Sequence, residues 1–327
     1  MGRIVLVTGV SRRIGGRTAE LLSRDPEIDK VIAVDAVPPS HSLGRAQFVR
    51  ADIRNPMVGK VISHEGVDTV LHLGVIITPK QVGGRTSQKE INVIGTMQLL
   101  AACQRAESLK RFVVKSSSAV YGSSPRDPAM FTEEQQARRS PTGGTGKDSA
   151  EVENYVRGFA RRRPDVSVCT LRMANVVGRG FRSQLSDYLS MPVMPVPLGF
   201  DGRMQLLHLD DALSALRTAT LSDVSGTVNV AADGLLTVRQ AARIAGKPVV
   251  PIVPQAGGLV QQVTRRIGLK GFEASEMDFL CYGRGMDTTR MRTELGFEPA
   301  MTTREAFADV FAPASRRAAA AAGVRRG

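Results

Sequence analysis

Short apolar runs alternate with amphipathic stretches along the first half of the chain. The run at residues 3–8 (RIVLVT) is almost wholly apolar, as expected for a strand buried on both faces of a sheet. Residues 14–24 and 88–106 instead place apolar or small side chains at helical spacing. Similar patterns predict a helix from about residue 149 and further strands at 30–35, 46–50, 68–73, 111–116 and 167–172.

Repeated strand–helix–strand units with apolar strands predict a Rossmann-type, doubly wound parallel sheet of the α/β class, because right-handed crossovers place helices on both faces. Beyond residue 175 the pattern loosens, and three prolines predict an irregular crossing at 192–197. A strand is predicted at 227–231, and helices at 210–221, 237–245 and 288–295. We therefore expect a dinucleotide-binding domain at 1–175, completed by later segments, a smaller α/β substrate lobe at 176–311 and a mobile basic tail at 312–327.

Composition narrows the class of protein. The 327 residues are 42% hydrophobic and 23% charged, which is ordinary for a globular protein, and no apolar run reaches the length of a membrane span. The three scattered cysteines lack metal-ligand spacing, so we expect no metal and a cytoplasmic location. The first residues, MGRIVLVTGV, lack a basic region, a long apolar core and a cleavage site, so we expect no leader peptide. The net charge of +13 raises a nucleic-acid hypothesis, but the absence of tryptophan and the Ala/Arg tail favour a solvated basic surface.

The first predicted strand ends in a glycine turn, TGVSRRIG at residues 8–15. Gly9 permits a tight turn, and Gly15 permits close packing of the following helix, whose N-terminal amides favour a diphosphate. Asp35 ends the second predicted strand, where a carboxylate accepts hydrogen bonds from ribose hydroxyls. Strand, turn, helix, strand and acid in this order predict a dinucleotide site.

At these residues the chain resembles the extended short-chain dehydrogenase/reductase family, which includes NAD-dependent nucleotide-sugar epimerases and dehydratases. The resemblance covers about residues 3–311. It rests on the glycine turn and on ADIR at 51–54, HLG at 72–74, NVIGT at 92–96, SSSAVYG at 116–122, LRMANVVG at 171–178, HLDD at 208–211 and DTTRMRTELGFEP at 287–299.

The resemblance implies roles for individual residues. Ser117 occupies the position of the catalytic serine and of a substrate ligand, and Lys147 that of the catalytic lysine. It implies cofactor contacts from Thr8, Gly9, Ser11, Arg12, Ile14, Gly15, Asp35, Asp52, Ile53, Leu73, Gly74, Asn92 and Lys147. We expect NAD rather than NADP, because Asp35 repels a 2′-phosphate, although an arginine in the turn attracts one. His72 and His208 are interpreted as structural.

The departures from the family pattern concern the reaction centre. The family requires a tyrosine four residues before the lysine, and Gly143 occupies that position. Tyr155 and Tyr282 are the alternative hydroxyl donors, and Tyr121, a positional residue of the motif in the family, is not expected to react. Glycines at 143, 144 and 146 disfavour a helix, so we expect the next helix to begin at a cap formed by Asp148 or Ser149.

The substrate-binding positions also differ from the family pattern. Met204 and Met277 occupy positions where nucleotide-sugar enzymes of the family carry arginines that bind the diphosphate. We take Asn175, Arg203 and Arg284 as substrate-binding candidates, with Arg179 and Arg182 as compensating cations. By resemblance alone, helix faces within 88–106 and 149–162 predict a homodimer.

Three hypotheses follow. The first is an NAD-dependent epimerase, dehydratase or reductase that acts on a small-molecule substrate such as a sugar nucleotide, with altered acid/base chemistry. The second is a catalytically silent NAD-binding sensor or scaffold. The third, nucleic-acid binding through the basic surface, predicts strongly salt-dependent affinity.

Overall fold

The computed structural model describes residues 2–74, 89–138, 140–141, 144–253 and 274–313. Predictions that concern Gly143 and most of the basic tail therefore lie outside the described residues. No helix within these ranges is both long and apolar enough to cross a membrane.

Fourteen strands and ten helices are described. The strands are β1 (Arg3–Thr8), β2 (Ile28–Asp35), β3 (Gln47–Arg50), β4 (Thr69–His72), β5 (Arg111–Ser117), β6 (Ser167–Met173), β7 (Asn175–Val177), β8 (Met194–Pro197), β9 (Arg203–Met204), β10 (Leu206–His208), β11 (Gly226–Val230), β12 (Leu236–Thr237), β13 (Val249–Ile252) and β14 (Gly283–Arg284). The helices are α1 (Arg13–Leu22), α2 (Met57–His64), α3 (Gly95–Gln104), α4 (Gly144–Arg162), α5 (Gln184–Leu189), α6 (Leu209–Leu221), α7 (Val238–Ala245), α8 (Ala274–Tyr282), α9 (Thr289–Thr293) and α10 (Thr303–Phe311).

Seven strands form one parallel sheet in the order β11-β6-β5-β4-β1-β2-β3. The chain order reverses between β1 and β4, which is the crevice where ligands bind in doubly wound sheets. One face of the sheet packs against α1 and α6, and the other against α2, α3 and α4. The predicted Rossmann-type fold class is confirmed.

The later part of the chain contributes to the sheet and to three smaller sheets. Its strand β11, close to the predicted 227–231, pairs with β6 at the edge of the large sheet. The predicted irregular crossing is wrong in part, because β8 forms a parallel two-stranded sheet with β13 despite its prolines. Such a narrow sheet accepts prolines because each strand has one free edge.

Helix α4 begins earlier than the glycines suggested. We expected a start at Asp148 or Ser149, whereas the helix begins at Gly144. Gly146 explains the difference, because a Cβ there would lie 2.6 Å from the carbonyl oxygen of Ala119. Glycine has a low helix propensity, which disfavours a helix here. The close packing of Gly146 against the 3-10 turn after β5 compensates, because a larger residue would not fit.

Candidate functional site

A cavity of about 720 Å³ opens where β1, β2 and β4 end. This volume lies within the range of small-molecule and cofactor sites. Ten of the thirteen predicted cofactor residues line it, namely Gly9, Ser11, Arg12, Ile14, Gly15, Asp35, Asp52, Ile53, Leu73 and Gly74. Other walls come from the loop after β7, namely Gly180, Phe181, Arg182 and Ser183.

The glycine turn leaves space that side chains would fill. Gly9 has a φ of +78°, and a Cβ there would lie 2.8 Å from the Cα of Gly74. A Cβ on Gly15 would collide with the carbonyl oxygen of Gly9. The turn therefore brings the start of α1 against the ends of β1 and β4, and this cradle fits the diphosphate of a dinucleotide.

Asp35 faces the cavity from the end of β2. Its Oδ2 accepts hydrogen bonds from the Ser11 backbone nitrogen (3.0 Å) and hydroxyl (2.7 Å). Its Oδ1 accepts a longer bond of 3.3 Å from the backbone nitrogen of Val37. A carboxylate has about four lone-pair sites, so Asp35 retains capacity for ribose hydroxyls while Ser11 fixes its orientation.

Asp52 is held by its neighbour Arg54. The Arg54 guanidinium donates to the Asp52 Oδ2 at 3.0 and 2.6 Å and to Oδ1 at 3.1 Å, and the Arg54 backbone nitrogen donates to Oδ1 at 2.9 Å. The side-chain hydrogen bond from Arg54 lowers the pKa of Asp52. Asp52 therefore stays ionised at the adenine end that the family resemblance assigns to it.

Positive charge exceeds negative charge around the cavity. The two carboxylates of Asp35 and Asp52 face the cationic side chains of Arg12, Arg13, Arg54, Lys115 and Arg182. The Arg12 guanidinium lies across the turn and donates to the carbonyl oxygen of Gly74 at 3.3 Å. Burial, and secondly the charge of Arg12, lower the pKa of Lys115 to about 8. The cavity therefore favours an anionic occupant.

His72 is a structural residue of the sheet, as predicted from its motif. Its Nδ1 lies 2.7 Å from the Thr8 hydroxyl, and its Nε2 lies 2.9 Å from the Thr96 hydroxyl. Burial, with a contribution from Arg12, lowers the pKa of His72 to about 4. The neutral ring thus joins β1, β4 and α3 behind the cavity. The hydroxyl of Thr8, a predicted cofactor contact, forms this hydrogen bond with His72.

The predicted catalytic residues lie away from the cavity lining. Ser117 accepts a hydrogen bond from the Ala119 backbone nitrogen at 3.2 Å, and its hydroxyl proton has no acceptor among the described residues. Lys147 is exposed in the first turn of α4. Asn92 donates to the Asp148 carboxylate at 3.2 Å and so ties the segment before α3 to α4. The tyrosine position, Gly143, lies outside the described residues.

The predicted substrate residues are dispersed over the later elements. Asn175 starts β7, and Arg203 is exposed on β9. Arg284 donates to the Gly122 carbonyl oxygen at 2.6 Å and lies 5.0 Å over the Phe279 ring. Burial lowers the pKa of Arg284 to about 10. Arg284 thus links the end of β5 to α8 and β14.

The two compensating cations differ in their surroundings. Arg179 pairs with Asp309 at 2.7 Å, whereas Arg182 lines the cavity and pairs with Asp187 at 3.1 Å. Met204 is fully buried, so an apolar core residue occupies the position of a diphosphate-binding arginine in nucleotide-sugar enzymes of the family, here called the clamp position. The part of the chain that the structure describes has no cluster of three or more potential metal ligands.

Sequence reasoning missed Lys115, which lines the cavity from β5. The available signal was Lys115 itself, a cation in the interior of the strand at 111–116, which also begins with Arg111. A charged residue in a strand predicted to be buried on both faces requires a functional or pairing explanation.

Comparisons with known proteins agree with this architecture. The model of the NAD dependent epimerase/dehydratase family matches residues 5–231. An uncharacterized protein of Mycobacterium tuberculosis is 48% identical over 313 residues, which cover 94% of this chain and 83% of that protein.

Two solved structures show the same fold at low identity. The UDP-glucose 4-epimerase of Stenotrophomonas maltophila, with bound NAD and formylated UDP-arabinopyranose, has a TM-score of 0.73 at 20% identity and covers 98% of this chain and 100% of its own. The dTDP-glucose 4,6-dehydratase of Streptomyces venezuelae has a TM-score of 0.72 at 19% identity, with coverage of 94% and 95%. On the match of the family model, the chain belongs to the NAD-dependent epimerase/dehydratase family.

Proposed function

We propose that the protein is an NAD-dependent oxidoreductase that acts on a sugar nucleotide by transient hydride transfer. The observation that carries this proposal is the cavity at the ends of β1, β2 and β4, built from the glycine turn and the oriented Asp35 carboxylate. The structural relatives named above bind NAD and act on nucleotide sugars, which supports the same chemistry here.

The residues of the cavity divide between the two ends of the cofactor. Gly9 and Gly15 would admit the diphosphate to the start of α1, and Asp35 would accept hydrogen bonds from the adenosine ribose. The same carboxylate would repel the 2′-phosphate of NADP. Bound NAD supplies a hydride acceptor. Ser117, whose hydroxyl proton has no acceptor within the described ranges, would bind the reacting oxygen of the substrate.

We propose that residues 176–311 supply the substrate side of the site, as expected from the sequence. Arg284 supports this role, because it belongs to β14 and donates to Gly122, which follows the 3-10 turn after β5. Arg182 adds a cation at the cavity wall. An anionic small molecule is the partner that these charges favour.

The second candidate is an NAD-binding sensor without turnover. Its specific support is the buried Met204 at the clamp position and the exposure of Lys147. The exposure of Lys147 argues against proton transfer, and the buried Met204 argues against diphosphate binding by an arginine at that position. Neither feature affects the cofactor cavity.

The two candidates separate in a two-step experiment. Calorimetric titration with NAD and NADP comes first, on the wild type, on Asp35→Asn and on the control Asp223→Asn, whose side chain is 98% exposed. We expect NAD binding that is weakened by Asp35→Asn alone. Incubation with UDP-glucose or dTDP-glucose, followed by NMR of the sugar, then tests turnover. A new sugar product supports the enzyme, and cofactor binding without any product for a range of sugar nucleotides supports the sensor.

We also propose a homodimer through α3 and α4. Apolar side chains are exposed on these neighbouring segments, with Ile94 44%, Met97 40% and Tyr155 41% exposed. Tyr155 therefore fits an interface better than proton transfer. Light scattering after gel filtration measures the mass, and Tyr155→Arg is expected to shift it towards the monomer.

A further inference from the structure

Lys115 is a buried cation without a counter-charge. Its side chain is 6% exposed and lines the cavity, and it forms neither a hydrogen bond nor an ion pair within the described ranges. An unpaired buried ammonium is unfavourable because it loses hydration without compensation. Such a group in a ligand cavity indicates that an anion completes its surroundings.

Arg12 is a second cation at the same place. It occupies the cap position of α1, where its side chain makes no capping bond, and it donates instead to the Gly74 carbonyl oxygen. Of the described carboxylates, none forms an ion pair with it, although the charge of Asp35 acts on it. Arg12 and Lys115 repel each other, since the charge of Arg12 lowers the pKa of Lys115.

The other groups near Lys115 do not neutralise it. His72 on β4 is neutral above about pH 4, and Asp35 on β2 is bound by Ser11. On β6, Arg172 is paired with Glu153 of α4. The remaining charged side chains of the cavity are more peripheral and mostly cationic: Arg13, Arg54, Arg182 and Asp52.

We propose that Arg12 and Lys115 form a two-cation subsite for the diphosphate of the dinucleotide. This inference rests on the proposed function, because it assigns the cavity to that cofactor. The family uses a small residue at position 12 so that backbone amides approach the diphosphate. In this chain two side-chain charges beside the N-terminus of α1 supply charge-assisted hydrogen bonds in addition to the helix terminus.

The subsite makes cofactor affinity depend on pH. A bound diphosphate favours the ammonium form of Lys115, so binding takes up a proton when Lys115 is neutral beforehand. Affinity is therefore full below about pH 8 and falls as the pH rises above that value. Arg12 stays charged throughout this range, because its guanidinium is a far stronger base.

The test measures dissociation constants by calorimetry for NAD, ADP-ribose, adenosine and UDP-glucose. The variants are Lys115→Met and Arg12→Gly, the latter restoring the small residue of the family, with Lys60→Met on the exposed surface of α2 as the control. We expect each of the two variants to bind NAD and ADP-ribose about tenfold more weakly at pH 7, the loss of one charge-assisted contact. Adenosine affinity and the control variant remain unchanged.

Lys115→Arg separates charge from shape. It keeps the positive charge above pH 8, so ADP-ribose affinity is expected to stay level between pH 7 and 9.5, whereas the wild-type affinity falls several-fold. Thermal unfolding of each variant checks that it is folded, and Lys115→Met is expected to be at least as stable as the wild type because it removes a buried charge.

The outcomes are distinguishable. If the wild type binds neither NAD nor ADP-ribose, the proposed function is wrong and the subsite falls with it. If the wild type binds both and the two variants match the Lys60→Met control, the subsite alone is overturned. Weaker binding of UDP-glucose with unchanged ADP-ribose also overturns it, because the diphosphate would then belong to the substrate.

Discussion

The ion pair between Arg172 and Glu153 offers the sharpest test of the energetics of this fold. Arg172 on β6 donates to Glu153 on α4 at 3.1 and 2.7 Å, and their side chains are 9% and 4% exposed. Ser116 adds a hydrogen bond of 2.6 Å to the same carboxylate. Burial alone lowers the pKa of Arg172, but its bonds to Glu153 and Tyr121 raise that pKa above the usual value. The pair thus keeps both charges in the core.

Glu153→Leu leaves the Arg172 charge buried without its partner. We expect the free energy of unfolding to fall by about 3–5 kcal/mol, the usual cost of breaking a buried pair. The double variant Glu153→Leu/Arg172→Met removes both charges, and it is expected to recover most of that loss.

Urea unfolding followed by circular dichroism measures these changes. The control is Glu20→Gln, which breaks an exposed pair with Arg24 and is expected to cost less than about 1 kcal/mol. A Glu153→Leu variant that unfolds within about 1 kcal/mol of the wild type would refute the reasoning, and so would a double variant less stable than the single one.

Three further predictions concern titration, reactivity and packing. His72 has a pKa of about 4 in the folded protein against 6.5 ordinarily, so the unfolded chain binds the proton first. The free energy of unfolding should therefore fall by about 3 kcal/mol between pH 6.5 and 4, and a His72→Gln variant with the same slope would contradict this. Burial raises the thiol pKa of Cys103 to about 12 and of Cys169 to about 11, so neither should react with a thiol reagent at pH 8 until urea unfolds the chain. Gly15→Ala should weaken NAD binding and lower the melting temperature, because its Cβ collides with backbone in the glycine turn. Gly158→Ala on α4, which meets a flexible side chain only at 3.4 Å, should instead be neutral or stabilise the protein by up to about 1 kcal/mol.

The large sheet was predictable because the apolar pattern of its strands is visible in each strand's own residues. Strands β1, β2 and β5 contain runs of three or four consecutive apolar residues, the pattern that burial on both faces of a sheet imposes. The strands β9, β12 and β14 contain two residues each, too few for any periodicity. Helix α2 went unpredicted, and the start of α4 was misplaced because the packing of Gly146 involves Ala119, which is distant in sequence.

The backbone part of the candidate site was also predictable, since the glycines and the acid that line the cavity stand at the ends of strands. The charges were not, because their meaning depends on partners from other elements. The two buried cations of neighbouring strands illustrate this difference. Arg172 pairs with Glu153 from α4 in the core, whereas Lys115 lines the cavity, where the charge of Arg12 contributes to lowering its pKa. Both residues lie near the C-terminal end of a strand with apolar neighbours, so the sequence alone does not distinguish them. The face of the sheet on which each side chain lies decides whether it meets a carboxylate or the cavity, so the departure from the family pattern at Arg12 is best interpreted together with Lys115.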